Sequence, residues 1–254
     1  MSRAHRIIVN VLPLCFAFAM HAARAQGGPP MFTDDPGTPG PRAWEINIGM
    51  TRQQAAHGFS SELPVLDFNY GVGDRIQLNY GIAWVWQNAR AQDSVSALGS
   101  SQFAIKWRFI DSGETGWSVS TYPRVVLRNP GSRAARLGLV DDGTVVFLPF
   151  EFQRAMAGGS LDFELGHEFH SRGDGVWIAG GVFGRDLREG VEAMVELHGE
   201  SSGGWRSSSL AMNLGTRVSF APSGVLLLSV GRELHVPAGE SAAWLVYGGW
   251  QLTF

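Results

Sequence analysis

The sequence predicts an all-β protein, a transmembrane antiparallel up-and-down β-barrel of about 12 strands. Three observations predict it. Apolar and polar residues alternate with period 2 through most of the chain, the links between these runs are short at one end and mostly longer at the other, and the apolar face is crowded with Trp. Composition agrees indirectly. Hydrophobic residues make up an ordinary 44% of the 254-residue chain, yet only 17% are charged and there are 33 Gly. A typical soluble domain carries about 25% charged residues and about 7% Gly. One face made for lipid and another made for water average to such a mixture.

Residues 1–25 read as a secretory signal peptide. Arg3 and Arg6 form the basic start, Ile7 to Met20 the apolar run, and Ala23-Arg24-Ala25 the cleavage site. That run, about 14 residues, is too short for a retained membrane helix. Cys15, the single cysteine, lies inside it behind the bulky Leu14, which argues against lipidation and leaves a mature chain without disulfides. Losing three Arg with the signal makes the mature chain more acidic than the net −3 of the whole. No later stretch is long and apolar enough for a membrane helix. The basic residues are Arg apart from Lys106 and form no block, so nucleic-acid binding is not expected.

Residues 26–42, QGGPPMFTDDPGTPGPR, predict an irregular periplasmic arm, because Pro cannot donate to a β-ladder. The barrel follows over 43–254, with strands expected at 43–52, 62–71, 75–87, 101–110, 117–127, 144–153, 160–170, 176–186, 191–200, 207–220, 225–234 and 243–254. Trp44, Ile46, Ile48 and Met50 alternate with Glu45, Asn47, Gly49 and Thr51 in the first. Ile76 to Trp86 and Phe103 to Phe109 repeat the pattern in the third and fourth. The runs 176–186 and 225–234 alternate least cleanly. Links after even-numbered strands are short, whereas 53–61, 88–100, 128–143 and 235–242 are longer, as expected of periplasmic turns and external loops. A ten-residue strand rises about 25 Å at a tilt of about 40°, the height of the apolar band of such barrels.

Four segments carry a resemblance. Tyr247 to Phe254, with Trp250, Leu252 and the terminal Phe254 at alternate positions, resembles the signal by which the barrel-assembly machinery recognises outer-membrane barrels. Phe32-Thr33-Asp34-Asp35-Pro36-Gly37-Thr38-Pro39-Gly40 leading into Trp44-Glu45-Ile46-Asn47 resembles the opening of the outer-membrane transporters named for the MetA pathway of phenol degradation. Gly184-Arg185-Asp186 and Glu196-Leu197-His198-Gly199-Glu200 are similar to later strands of that family. The resemblance implies a bacterial outer-membrane barrel, surrounded by lipid, with a transport role. It also implies small aromatic or hydrophobic solutes, and it carries over no site residue.

Alternation assigns the inward positions. Arg75, Lys106, Arg108 and Arg124 form a basic arc, and Glu151, Asp162, Glu164, Glu168, Glu192, Glu196 and Glu200 an acidic one. Glu45, Asp67 and Arg217 also point inward, outside both arcs. Between Glu168 and Glu192 the inward positions Val176, Ile178, Gly180, Val182 and Gly184 are apolar or lack a side chain. Either the arcs face each other and impose a transverse field on small polar solutes, or the charges pair and fill the lumen. Glu196, His198 and Glu200 share a face, but same-face neighbours lie about 7 Å apart, too far to converge on one metal. His167 faces outward with no Ser beside it and no G-x-S-x-G occurs, so neither catalytic nor cofactor chemistry is expected. The sequence therefore points to a passive channel or porin-like transporter for small molecules, with a closed structural barrel displaying its loops as the alternative and a lipid-modifying enzyme behind both.

Overall fold

In a computed structural model, residues 28–89, 94–113, 115–202 and 207–254 are described; the expected signal segment 1–25 lies outside them. Every spanning element is a strand: β1 (Trp44–Ala55), β2 (Gly58–Val72), β3 (Ile76–Ala89), β4 (Val95–Ile110), β5 (Trp117–Thr121), β6 (Arg124–Leu127), β7 (Val145–Met156), β8 (Gly159–His170), β9 (Val176–Arg188), β10 (Val191–Ser202), β11 (Ser207–Ala221), β12 (Gly224–His235) and β13 (Trp244–Thr253). Each pairs antiparallel with its neighbours, and β13 returns to β1 in the register Ile46↔Leu252, Ile48↔Trp250. The sheet is thus closed. Trp250 and Leu252, from the expected assembly signal, belong to this seam, and Phe254 ends it through backbone bonds with Trp44.

Thirteen strands make a twelve-stranded barrel because β5 and β6 share one position. Both pair with β4 on one side and β7 on the other. The run 117–127, expected as one strand, breaks at Tyr122-Pro123, where proline supplies no N–H to the ladder. The runs 176–186 and 225–234 become β9 and β12. Expected loops 53–61 and 88–100 are mostly ladder instead: β1 runs to Ala55 and β2 starts at Gly58. Polar residues such as Arg52, Gln53 and Gln54 carry the sheet on beyond its apolar band, since water does not forbid a ladder that is already paired. Segment 128–144 stays a true loop, with one 3-10 turn at Ala135–Leu137.

Burial is inverted relative to a water-soluble protein. Trp44, Trp84, Trp86, Trp107, Trp177, Trp244 and Trp250 are exposed on the outer surface together with Leu, Phe and Val side chains. Glu151, Asp162 and Glu196 are fully buried inside. Only a lipid environment makes that arrangement favourable, because it removes the outer apolar area from water while keeping charges within reach of partners.

Replacing outward Leu165 in β8 with Arg is expected to destabilise the barrel by about 2–4 kcal/mol if it lies near the bilayer midplane. Urea titration of folding into lipid vesicles measures this, and Leu165→Ala separates charge from lost area.

Candidate functional site: the lumen and its arm

Residues 28–42 are irregular, as Pro and Gly dictate, and they thread through the lumen at the end where β1 begins and β13 finishes. Arg217 of β11 donates to the Pro29 carbonyl at 2.7 Å and to that of Gly28 at 3.3 Å, while Ser229 of β12 donates to Pro30 at 2.9 Å. The backbone N–H groups of Phe32 and Thr33 donate to the Glu196 carboxylate at 3.2 and 2.6 Å, and Asn213 donates to the same group at 2.6 Å. Met31 packs into a small apolar cluster with Val182 of β9 and Met194 of β10. The arm then crosses to β4, where Asp34 meets Lys106 at 2.8 Å and the Asp35 carbonyl accepts from the same ammonium.

Glycines in the wall make room for this path. A Cβ on Gly180 would lie 2.0 Å from the Thr33 hydroxyl, and one on Gly71 would lie 1.7 Å from the Gly40 carbonyl oxygen. Any larger residue at either position forces the arm away from the wall. The stripe Val176, Ile178, Gly180, Val182 and Gly184, without charge in the sequence, is the strand against which Thr33 and Met31 rest.

The remaining charges pair locally. Lys106 is 2% exposed and also faces Glu151 at 3.5 Å, and Ser120 donates to Glu151 at 2.5 Å. Arg124 binds Glu164 at 2.9 Å and lies over the rings of Tyr122 and Phe147. Arg75 and Arg108 gather on Asp111 in the turn after β4; the Arg108 hydrogen bond holds that carboxyl below the usual aspartate range. Ser160 donates to Asp162 at 2.8 Å, Glu168 pairs with His170 at 3.0 Å, and Glu192 lies 3.9 Å from Arg217. Glu200 pairs with His198 at 3.4 Å, whose ring carries Phe32 of the arm at 5.3 Å. Lys106, Arg124, Glu151 and Glu164 therefore meet across adjacent strand positions, and Glu196 is spent on the arm. Sequence reasoning did not assign Asp34, Asp35 and Thr33 to the lumen, nor the ladder of Asn47, Asn69, Gln77 and Asn79 around Asp67.

The arm does not fill the lumen. A cavity of about 460 Å³ runs along the β1–β4 side, from Val140 and Asp141 of the long loop to Gly37 and Thr38 of the arm. Its lining is mixed. Lys106, Arg124, Asp67 and Glu62 face it along with Val65, Val85 and Val126.

Removing the Glu196 carboxylate strips two arm N–H groups of a charged acceptor, a contact worth about 1.5–3 kcal/mol. Glu196→Ala is expected to speed hydrogen exchange of the Phe32 and Thr33 amides at least about tenfold while leaving exchange in β13 unchanged; nuclear magnetic resonance or mass spectrometry reads both.

No family model and no curated protein matches the sequence. Solved structures do match. The COG4313 outer membrane channel from Pseudomonas putida F1 is similar over 90% of this chain and 100% of its own, with a TM-score of 0.69 and 13% identity. The KdgM porin covers 83% of this chain and 99% of its own at a TM-score of 0.59 and 9% identity. The NanC porin covers 82% and 98% at 0.59 and 10%. At such identities the likeness is one of fold, the closed barrel of outer-membrane channels and porins.

Proposed function

We propose that this protein is a channel of the bacterial outer membrane, carrying small molecules by diffusion without a chemical step, with its arm as a stopper in the periplasmic half. One observation supports this above the others: a cavity extends from the long loop to an arm held mainly by hydrogen bonds and the Asp34–Lys106 ion pair, with one small apolar contact at Met31, and not by ladder pairing. Contacts of that kind can be exchanged for water, whereas a filled hydrophobic core could not open. The resemblance of the arm to the phenol-pathway transporters supports placement in that family, and the likeness to channel and porin folds supports the role. The alternating last strand supports handling by the barrel-assembly machinery.

Planar-bilayer recording tests the reading. The intact barrel is expected to show low conductance, and deletion of residues 28–41 to raise it severalfold with steady ohmic openings. A deletion variant that folds yet conducts no better favours a closed structural barrel instead.

Charge selectivity gives a second check. With the arm deleted, Lys106 loses Asp34 and faces the lumen beside Arg124. Replacing both with Gln is expected to shift the reversal potential in a salt gradient toward cation selectivity.

A further inference from the structure

The ion pairs of the lumen leave its β1–β2 side uncompensated. Glu45, Asp67 and, nearer the long loop, Glu62 line the cavity there. Among the described residues no Lys, Arg or His comes within ion-pair distance of these three. Arg217 acts on Glu45 from further off while giving N–H groups to the Pro29 carbonyl of the arm. The partners of the three carboxylates are neutral. Thr51 donates to Glu62 at 3.4 Å, and the Asn47 amide donates to Glu45 at 3.4 Å and to Asp67 at 3.0 Å.

The amides behind this row are aligned. Gln102 donates to Asn79 at 3.1 Å, Gln77 and Asn79 donate to Asn69 at 2.6 and 2.9 Å, and Asn69 and Asn79 both donate to Asp67. Each bond polarises the next, so the donor ends converge on Asp67 and satisfy its lone pairs without cancelling its charge. Asn47 shows what is missing. It is 2% exposed and lines the cavity, and the two carboxylates that its nitrogen meets fix the orientation of its amide. Its oxygen then accepts from no group among the described residues, and a buried acceptor in that position calls for a donor. Space is at hand. Gly81 of β3 stands opposite Asp67, and a Cβ there would reach only ordinary contact, 3.5 Å from Gln102 and 4.0 Å from the Asp67 carboxylate.

We propose that the β1–β2 side of the cavity binds small organic cations that carry N–H groups, with Asp67 and Glu45 as counter-charges and the Asn47 oxygen as an acceptor. The proposal rests on the channel reading and names its solute class. An ammonium or guanidinium group supplies both the positive charge and the donors that this wall lacks. A neutral solute supplies donors but leaves the charge, and an anion is repelled. A bare metal ion needs ligands that converge on one point, and among the described residues no three His, Cys, Asp or Glu do so. A branched N–H donor reaches separate acceptors one bond at a time. Lipid around the wall keeps the field of these carboxylates focused in the cavity, and Glu62 extends the same sign toward the long loop. The cavity, about 460 Å³, is of the size that small-molecule sites have.

Saturation-transfer nuclear magnetic resonance on the intact barrel, refolded in uncharged detergent, tests this with n-butylammonium, n-butanol and butyrate, which differ in charge and little in size. The ammonium is expected to bind at least about tenfold more tightly than the other two, and Glu45→Gln combined with Asp67→Asn to remove at least about tenfold of that affinity. Those substitutions disturb the amide row, so Gly81→Lys serves as a second variant. It sets an ammonium beside Asp67 in open space, removes no existing bond, and is expected to abolish butylammonium binding in a barrel that keeps its heat-modifiable gel mobility. Equal binding of butanol or butyrate overturns the proposal. So does a folded Gly81→Lys barrel that binds like the intact one, or full displacement of the ammonium by an equal concentration of sodium. Binding needs no open pore, which keeps the two readings apart. A protein that binds butylammonium but does not conduct after arm deletion removes the channel reading alone, and one that conducts without binding removes the cation site alone.

Discussion

Everything in this structure depends on the seam between β1 and β13. In lipid an unpaired backbone N–H or carbonyl has no water to turn to, so a sheet can cross only if it has no edge. The pairing from Glu45↔Thr253 to Gln54↔Trp244 removes that edge along almost the whole length of both strands. Once closed, the sheet has one face toward lipid and one toward a narrow interior. The period-2 alternation then sends Leu, Phe and Trp outward and Glu, Asp, Arg and Asn inward without further instruction.

Closure creates a second problem inside. An interior lined by carboxylates must supply partners, because a buried charge without one costs far more than its pair returns. Nearby strands supply some of them, as where Arg124 of β6 reaches across β7 to Glu164 of β8. The arm supplies the rest, since Asp34 comes to Lys106 and the arm N–H groups come to Glu196. The arm thus satisfies charges that the wall leaves over, and the wall in turn gives an otherwise structureless Pro-Gly segment a fixed path.

The strands were legible because their signal is local. Each residue's face can be read from its two neighbours, so alternation alone assigns each charge to a face. The strand ends were not, because polar alternation continues past the apolar band and looks like a loop; His57 sits at the tip of a hairpin where a nine-residue loop was expected. The arm was legible as irregular but not as luminal. Its location rests on contacts more than 160 residues apart in sequence, such as Thr33 with Glu196. The uncharged stripe through Gly180 was the available trace: on a wall otherwise lined with charge, missing side chains mark a place already occupied.

Pro64 belongs to the same lesson. A proline within a run that reads as a strand is tolerated where a ladder bond can be spared, at edges or bulges. A closed barrel has no edge, so the proline must mark a bulge, and a bulge inside the apolar band exposes backbone that lipid cannot satisfy. Trp86 answers part of this by donating its indole N–H to the Leu63 carbonyl at 3.2 Å.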